Sequence, residues 1–230
     1  MSLRPTIAAN LAAIRQRIAA AAASCDRRSD AIALVAVSKT QPPDAIEAAI
    51  EAGQLLFGEN RVQEAQAKFP SLRQRHPALR LHLIGPLQTN KIREAVALFD
   101  AIETIDRAKL ARGLAAEMAR SGRRPDCLVQ VNIGREPQKA GVLPEELDAL
   151  IALCRDELAL PLVGLMAIPP VDQPAAPYFA SLAALGRRHR LPGLSMGMSG
   201  DFEIAIRSGA TLVRVGTAIF GTRPAAEAPP

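Results

Sequence analysis

Short apolar runs alternate with amphipathic stretches along the whole chain. Eight runs are rich in β-branched and aliphatic residues and predict strands over 32–37, 55–58, 80–84, 101–105, 127–132, 162–166, 194–198 and 211–215. The stretches between them predict helices over 43–52, 62–68, 89–98, 107–120, 144–156 and 201–208, with another ending near His189 after a proline-rich loop over 169–177. Pro43 in the first turn of one helix and Gly53 just behind it are ordinary start and stop signals. Ahead of the first strand, Ile7, Leu11, Ile14 and Ile18 recur at helical spacing, which predicts an amphipathic N-terminal helix.

Strict alternation of strand and helix implies parallel strands, because each return to the same end of the sheet needs a crossover. Eight such units predict an α/β fold, a single closed (β/α)8 barrel of the TIM type with an extra N-terminal helix. An open doubly wound sheet is the alternative. No linker divides the chain, so residues 1–223 form one expected domain, and 224–230 read as a disordered tail. The last strand is expected to have no substantial helix after it.

Composition narrows the function. Only 3% of the 230 residues are aromatic, with no tryptophan and one tyrosine, Tyr178, which disfavours a base-stacking platform. The net charge of +5 invites nucleic acid, but the basic residues are scattered. Pairs such as Arg27-Arg28, Arg123-Arg124 and Arg187-Arg188 lie near predicted helix ends, where cations suit the helix dipole. No nucleic-acid partner is expected. Three cysteines without metal-like spacing fit a reducing, cytoplasmic setting, and no apolar run is long enough to span a membrane. The first 25 residues hold arginine and no acid, faintly like a transit peptide, but the apolar stripe favours an ordinary helix.

In a barrel, chemistry collects at the C-terminal ends of the strands. Lys39 ends the first strand and continues the face of Val35 and Val37. Desolvation lowers the pKa of a buried lysine, and such an amine can form a Schiff base with an aldehyde. Alternatively the side chain runs out to solvent. Arg214 stands inside the apolar run 211–215 and needs a partner, either an acid on a neighbouring strand or a ligand atom near the barrel axis. After the seventh strand, Gly197-Met198-Ser199-Gly200-Asp201 offers Ser199 as a helix N-cap and small residues that let amides approach an anion. Gly216-Thr217 follows the eighth strand. Either segment alone is plain turn chemistry, but together they predict phosphate binding, because barrels favour those two loops for it.

Polar residues also follow strands two and three, in Gly58-Glu59-Asn60-Arg61 and in the segment from His82 to Lys91. Glu59 and Asn90 suit helix caps, and His82 suits a hydrogen-bonded core position as well as a ligand contact. The three histidines form no metal-like cluster, and no Ser-His-Asp or Cys-His arrangement is assembled. From these features alone, an enzyme acting on a phosphorylated metabolite through Lys39 is a valid reading.

Taken together, six ordered segments resemble the YggS/PROSC family of pyridoxal-phosphate-binding proteins. They are Ala36-Val37-Ser38-Lys39-Thr40, Phe57-Gly58-Glu59-Asn60, His82 to Lys91, Gly164-Leu165-Met166-Ala167-Ile168-Pro169, Gly197 to Asp201, and Val213 to Gly221. The resemblance implies a barrel like the N-terminal domain of alanine racemase, with pyridoxal 5′-phosphate as cofactor. By correspondence, Lys39 forms the Schiff base, Ser199, Gly200, Gly216 and Thr217 cradle the phosphate, and Arg214 faces the pyridine nitrogen. Asn60, His82, Met166 and Met198 complete the implied cofactor site. Lys139 corresponds to a second lysine in a mobile loop. Arg61 and Gly200 depart from the family, replacing an aromatic and a larger residue.

An arginine facing the ring nitrogen opposes its protonation and so weakens carbanion chemistry. Racemisation also needs a second acid or base opposite the lysine. In two-domain relatives this is a tyrosine on a C-terminal domain, which has no counterpart here. The resemblance therefore implies a monomeric carrier for cofactor homeostasis and delivery to apo enzymes, without turnover. A racemase or decarboxylase of the same fold is the alternative.

Overall fold

The computed structural model describes residues 3–221; the tail expected over 224–230 lies outside them. Eight parallel strands close into one barrel in chain order: β1 (Ala33–Val37), β2 (Leu56–Glu59), β3 (Arg80–Leu83), β4 (Ala101–Ile105), β5 (Asp126–Val131), β6 (Leu162–Ala167), β7 (Gly193–Ser195) and β8 (Leu212–Val215). β8 returns to β1 with Val35 opposite Arg214 and Ala36 opposite Val215. The closed barrel is therefore the correct one of the two predicted architectures.

The outer ring comprises α1 (Leu3–Ala23), α2 (Pro43–Glu51), α3 (Val62–Arg75), α4 (Ile92–Leu98), α5 (Ala108–Ser121), α6 (Leu147–Ala152), α7 (Ala176–His189), α8 (Phe202–Arg207) and α9 (Thr217–Phe220). The apolar residues divide between two spaces. A large cluster fills the layer between sheet and helices, with Phe57, Phe69, Phe99, Phe179 and Phe202 fully buried in it. Val35, Ile84, Ala101, Leu128 and Met166 are buried apart from that cluster. They belong to the barrel interior, where a Cβ on Gly58 would strike Val35 and Ile84.

The N-terminal helix is part of this ring. Ile7, Leu11, Ile14 and Ile18 of α1 are all buried, and the helix packs on α2, α8 and α9. After β8 the chain forms only the single turn of α9, so no substantial helix follows the last strand among the described residues, as expected. α1 thus covers the gap left in the eighth helical position. Its polar side contributes an Arg17–Glu203 ion pair at 2.9 Å and an Asn10 side-chain donor to the Ile219 carbonyl at 2.8 Å.

Several boundaries move. α3 runs past its predicted end at residue 68 and through Pro70 to Arg75. Pro70 is exposed, whereas Phe69 and Leu72 are fully buried. Burying those two side chains at roughly 1.5–3 kcal/mol each offsets a proline penalty of about 3 kcal/mol. β7 ends at Ser195 instead of residue 198, because the chain turns at Gly197 with φ +92°, where a Cβ would clash with Ala205. The helix predicted over 89–98 is a 3-10 turn (Thr89–Lys91) followed by α4. The one predicted over 144–156 is α6 followed by a π-helical turn (Leu153–Glu157). The remaining ends shift by one or two residues, as helix and strand termini commonly do.

If α1 closes the ring, truncating its stripe must cost as much as truncating the core. Leu11→Ala is expected to lower unfolding stability by roughly 2–5 kcal/mol, read from urea denaturation followed by far-ultraviolet circular dichroism.

Candidate functional site

The predicted residues lie at the C-terminal end of the barrel in two tiers. On the rim are Lys39 just past β1, Asn60 just past β2, Met198, Ser199 and Gly200 after β7, and Gly216 and Thr217 after β8. Strands β7, β8, β1 and β2 are consecutive around the barrel, so these residues share one sector. Lys39 and Asn60 are half-buried. Deeper lie Met166 on β6, fully buried, Arg214 on β8 and His82 on β3. Arg214 pairs in register with Val35, four residues below Lys39.

The loop after β7 is a tight turn. The Asp201 amide donates to the Met198 carbonyl at 3.1 Å, and the Met198 amide donates to Asp201 Oδ1 at 2.6 Å. Between them, the amides of Ser199 and Gly200 meet no protein acceptor among the described residues. Asp201 stands at the N-cap position of α8; Ser199, predicted there, lies two residues earlier. The difference arises because Asp201 closes the turn and so delays the helix. Gly216 packs against β1, with an ideal Cβ 3.2 Å from Val37 Cβ, and Thr217 opens α9. Hydroxyls and amides from two adjacent loops form a donor set suited to a phosphate, and they do so beside a lysine.

Inside the barrel, a continuous polar chain leads away from Arg214. One guanidinium nitrogen donates to Ser195 Oγ at 2.5 Å, and the other donates to the Ala167 carbonyl at 2.9 Å. Ser195 Oγ donates to Glu103 Oε2 at 2.5 Å, and Glu103 Oε1 lies 2.6 Å from His82 Nδ1. Arg214 thus meets an acid, but one on β4 reached through a hydroxyl on β7, and not on a flanking strand. His82 is hydrogen-bonded in the core, and its link to Arg214 runs through Glu103 and Ser195. Burial pushes the Glu103 carboxyl up, yet the hydrogen bond and charge of His82, the charge of Arg214 and the Ser195 hydroxyl outweigh it and hold it below the usual carboxylate range. Burial lowers the Arg214 pKa, offset in part by Glu103 and Asp201.

Sequence reading passed over Glu103 and Ser195. Glu103 did carry a signal, being a carboxylate inside an apolar strand just as Arg214 is a cation inside one. Ser195 carried none. Glu59 and Asn90, two candidate caps, cap nothing: Glu59 is the buried last residue of β2, and Asn90 sits mid-way in the 3-10 turn. Glu59 instead joins Lys68 at 2.6 Å beneath α3.

Lys139 bridges two rim loops, donating to the Pro169 carbonyl at 3.0 Å and pairing with Glu136 at 2.6 Å. Asn132, just beyond β5, and Gln130, on it, pin that loop through its backbone at Glu136 and Ala140. Arg61 lines a cleft of about 1040 Å³ beside Asn60, together with Glu64, Lys91 and Arg107. Burial pushes the Cys154 thiol up to about 11 and raises Cys127 further, so neither is a ready nucleophile. Among the described residues, no three potential ligands cluster as a metal site, and no helix is long and apolar enough to cross a membrane.

Comparison with known proteins agrees with the barrel fold. A family model described as the N-terminal domain of alanine racemase matches residues 9–224. The chain is 43% identical over 226 residues to the pyridoxal phosphate homeostasis protein of Escherichia coli K12, covering 94% of this chain and 97% of that one. The structure of PipY from Synechococcus elongatus PCC7942 without PLP aligns with a TM-score of 0.82 at 40% identity. The structure of PipY with PLP bound aligns with a TM-score of 0.77 at 38% identity. Each covers 94% of this chain and all of PipY.

Removing the acid from the interior chain leaves the Arg214 charge buried without its counter-charge. Glu103→Gln is expected to cost about 3–5 kcal/mol at neutral pH. Because the folded-state pKa of Glu103 is depressed, its contribution is complete above the unfolded value of about 4.3 and is lost as pH falls through the lower folded value. Urea denaturation of both proteins across pH 7 to 3 should therefore give a stability gap that narrows below about pH 4.

Proposed function

The chain belongs to the pyridoxal phosphate homeostasis proteins, a family built on the N-terminal domain of alanine racemase, and on that premise we propose that it holds pyridoxal 5′-phosphate at this rim. Lys39 is the anchor. The observation that carries the reading is the placement of a half-buried lysine in the same sector as two loops with amide and hydroxyl donors, those of Ser199–Gly200 and Gly216–Thr217. A phosphate accepts from such donors, and an aldehyde is what an adjacent lysine amine can condense with. When bound, the cofactor supplies that aldehyde, which the Lys39 amine converts to a Schiff base with release of water.

The chain's own residues divide the remaining work. Ser199 and Thr217 donate to the phosphate through hydroxyls, and Gly200 and Gly216 leave room for the backbone. Asn60, Met166 and Met198 bound the ring, with His82 acting from beneath through Glu103. Arg214 is the group that meets the pyridine nitrogen. Being permanently charged and already donating to Ser195 and Ala167, it holds that nitrogen unprotonated, because two cations in contact would repel.

The same chemistry supports carriage over catalysis. A racemase needs a second acid or base opposite the lysine. Tyr178, the chain's one tyrosine, lies in the first turn of α7 with its hydroxyl bonded to Gln173. We therefore infer a cytoplasmic monomer that stores the cofactor and delivers it to apo enzymes. Its large exposed apolar side chains are spread over both ends of the barrel, with Leu55 and Val163 at one and Val171 and Met198 at the other.

The test is the absorbance spectrum of the purified protein incubated with pyridoxal phosphate. Wild type is expected to gain a visible band that borohydride abolishes, and Lys39→Ala to gain none. A wild type without the band would sink the cofactor reading and favour a phosphorylated metabolite as ligand. Amino-acid racemase turnover by the loaded protein would instead overturn the carrier reading.

A further inference from the structure

Both peptide groups that flank Lys39 are gripped from α3. The carbonyl before it, that of Ser38, accepts from Lys68 Nζ at 2.9 Å. The amide after it, that of Thr40, donates to Glu64 Oε1. Lys68 and Glu64 are themselves an ion pair at 2.8 Å, one helical turn apart. Thr40 holds φ +63°, a left-handed conformation rare for a β-branched residue, so this segment takes a shape that its own sequence does not favour.

The grip extends inward. Lys68, only 7% exposed, also pairs with Glu59 Oε1 at 2.6 Å, and the same oxygen accepts from the Ser38 hydroxyl at 2.7 Å. The second oxygen of Glu59 is buried with no hydrogen-bond partner. Two carboxylates around one ammonium, largely out of water, are a costly arrangement for stability alone. A well-packed apolar contact would hold α3 on the sheet at less expense. The polar cluster does what an apolar contact cannot: it hydrogen-bonds the backbone on either side of one residue.

We propose that Glu64 and Lys68, supported by Glu59, are positioning residues for Lys39, fixing the backbone from which its amine reaches the cofactor. The inference rests on the reading of Lys39 as the anchor. Side chains that orient a reacting group matter through small displacements, since a shift near 1 Å can change a rate by about a hundredfold. Glu64 also lines the cleft that holds Arg61 and Lys91, so the grip on Lys39 ends at an accessible surface.

Two measurements test it on the full chain. In the first, protein loaded with pyridoxal phosphate is mixed with excess semicarbazide, an aldehyde trap, and loss of the visible band is timed. Lys68→Met and Glu64→Ala are expected to lose the band about tenfold to a hundredfold faster than wild type. Glu64→Gln keeps an oxygen for the Thr40 amide and is expected to stay within a few-fold of wild type. In the second, amide hydrogen exchange over residues 36–42 is followed without cofactor. There Glu64→Ala is expected to raise exchange at Thr40, and Glu64→Gln to leave it protected. Wild-type rates in Glu64→Ala, or equal loss in Glu64→Ala and Glu64→Gln, would overturn the proposal, even if melting temperatures fall. Should Lys68→Met fail to fold, the Glu64 pair carries the test, because that side chain is partly exposed. A wild type with no band at all would count against the anchor role of Lys39, while the exchange experiment still decides whether the grip exists.

Discussion

Arg214 brings a charge that it cannot shed into the interior of a closed barrel, where water is largely excluded. Much of the interior chemistry follows from that. The charge needs a counter-charge, and the curvature of the barrel allows it to come from β4, nearly opposite, through a hydroxyl on β7. Glu103 then carries two oxygens, one taken by Ser195 and the other by His82. What might have been a scattered set of polar interior residues is one connected chain, satisfied along its length, with the guanidinium at its upper end. Such a network is costly when broken and rigid when complete, and a rigid guanidinium suits the ring-nitrogen contact proposed for it.

A second polar system lies on the other side of the sheet, between β1, β2 and α3. It too is buried and charged, and it too converges on the rim. The two systems share no residue, because side chains alternate between the inner and outer faces of a strand. Ser38 and Glu59 face the helices, while Val35 and Gly58 face the barrel axis. The inner system orients the group proposed to meet the ring, and the outer one orients the group proposed to hold the aldehyde. This division explains why the end of β1 is so polar on both faces, although the strand itself is almost wholly apolar.

Carriage and catalysis differ here by what is placed around one lysine. In the proposed placement the permanently charged Arg214 would disfavour a protonated ring nitrogen, and Tyr178 is engaged with Gln173. A chain with these features can hold a reactive aldehyde while doing little with it. On the proposed reading, retention would depend on how firmly Lys39 is positioned and on how the loops after β5 and β6, tied together through Lys139, sit beside the rim.

Some of this was legible in the sequence and some was not. The number and order of the strands, the parallel barrel, the buried stripe of α1, the rim placement of Lys39, Ser199 and Gly216, and the family followed from local periodicity and from motifs contiguous along the chain. These features depend on neighbours a few residues apart, which a linear reading can see. The sequence also marked Arg214 as needing a partner, but did not name it. Glu103 lies 111 positions away and Ser195 between, and no local pattern links them; closure of the barrel alone brings β4, β7 and β8 around one axis. The roles of Glu59 and Lys68 were likewise hidden, because a glutamate near a helix start looks like a cap until strand register shows that it is buried. The course of α3 through Pro70 was decided by Phe69 and Leu72 finding a core, and the use of α1 as the eighth helix by the shortness of α9. In each case the deciding interaction joins residues distant in sequence, whose proximity exists only once the chain has folded.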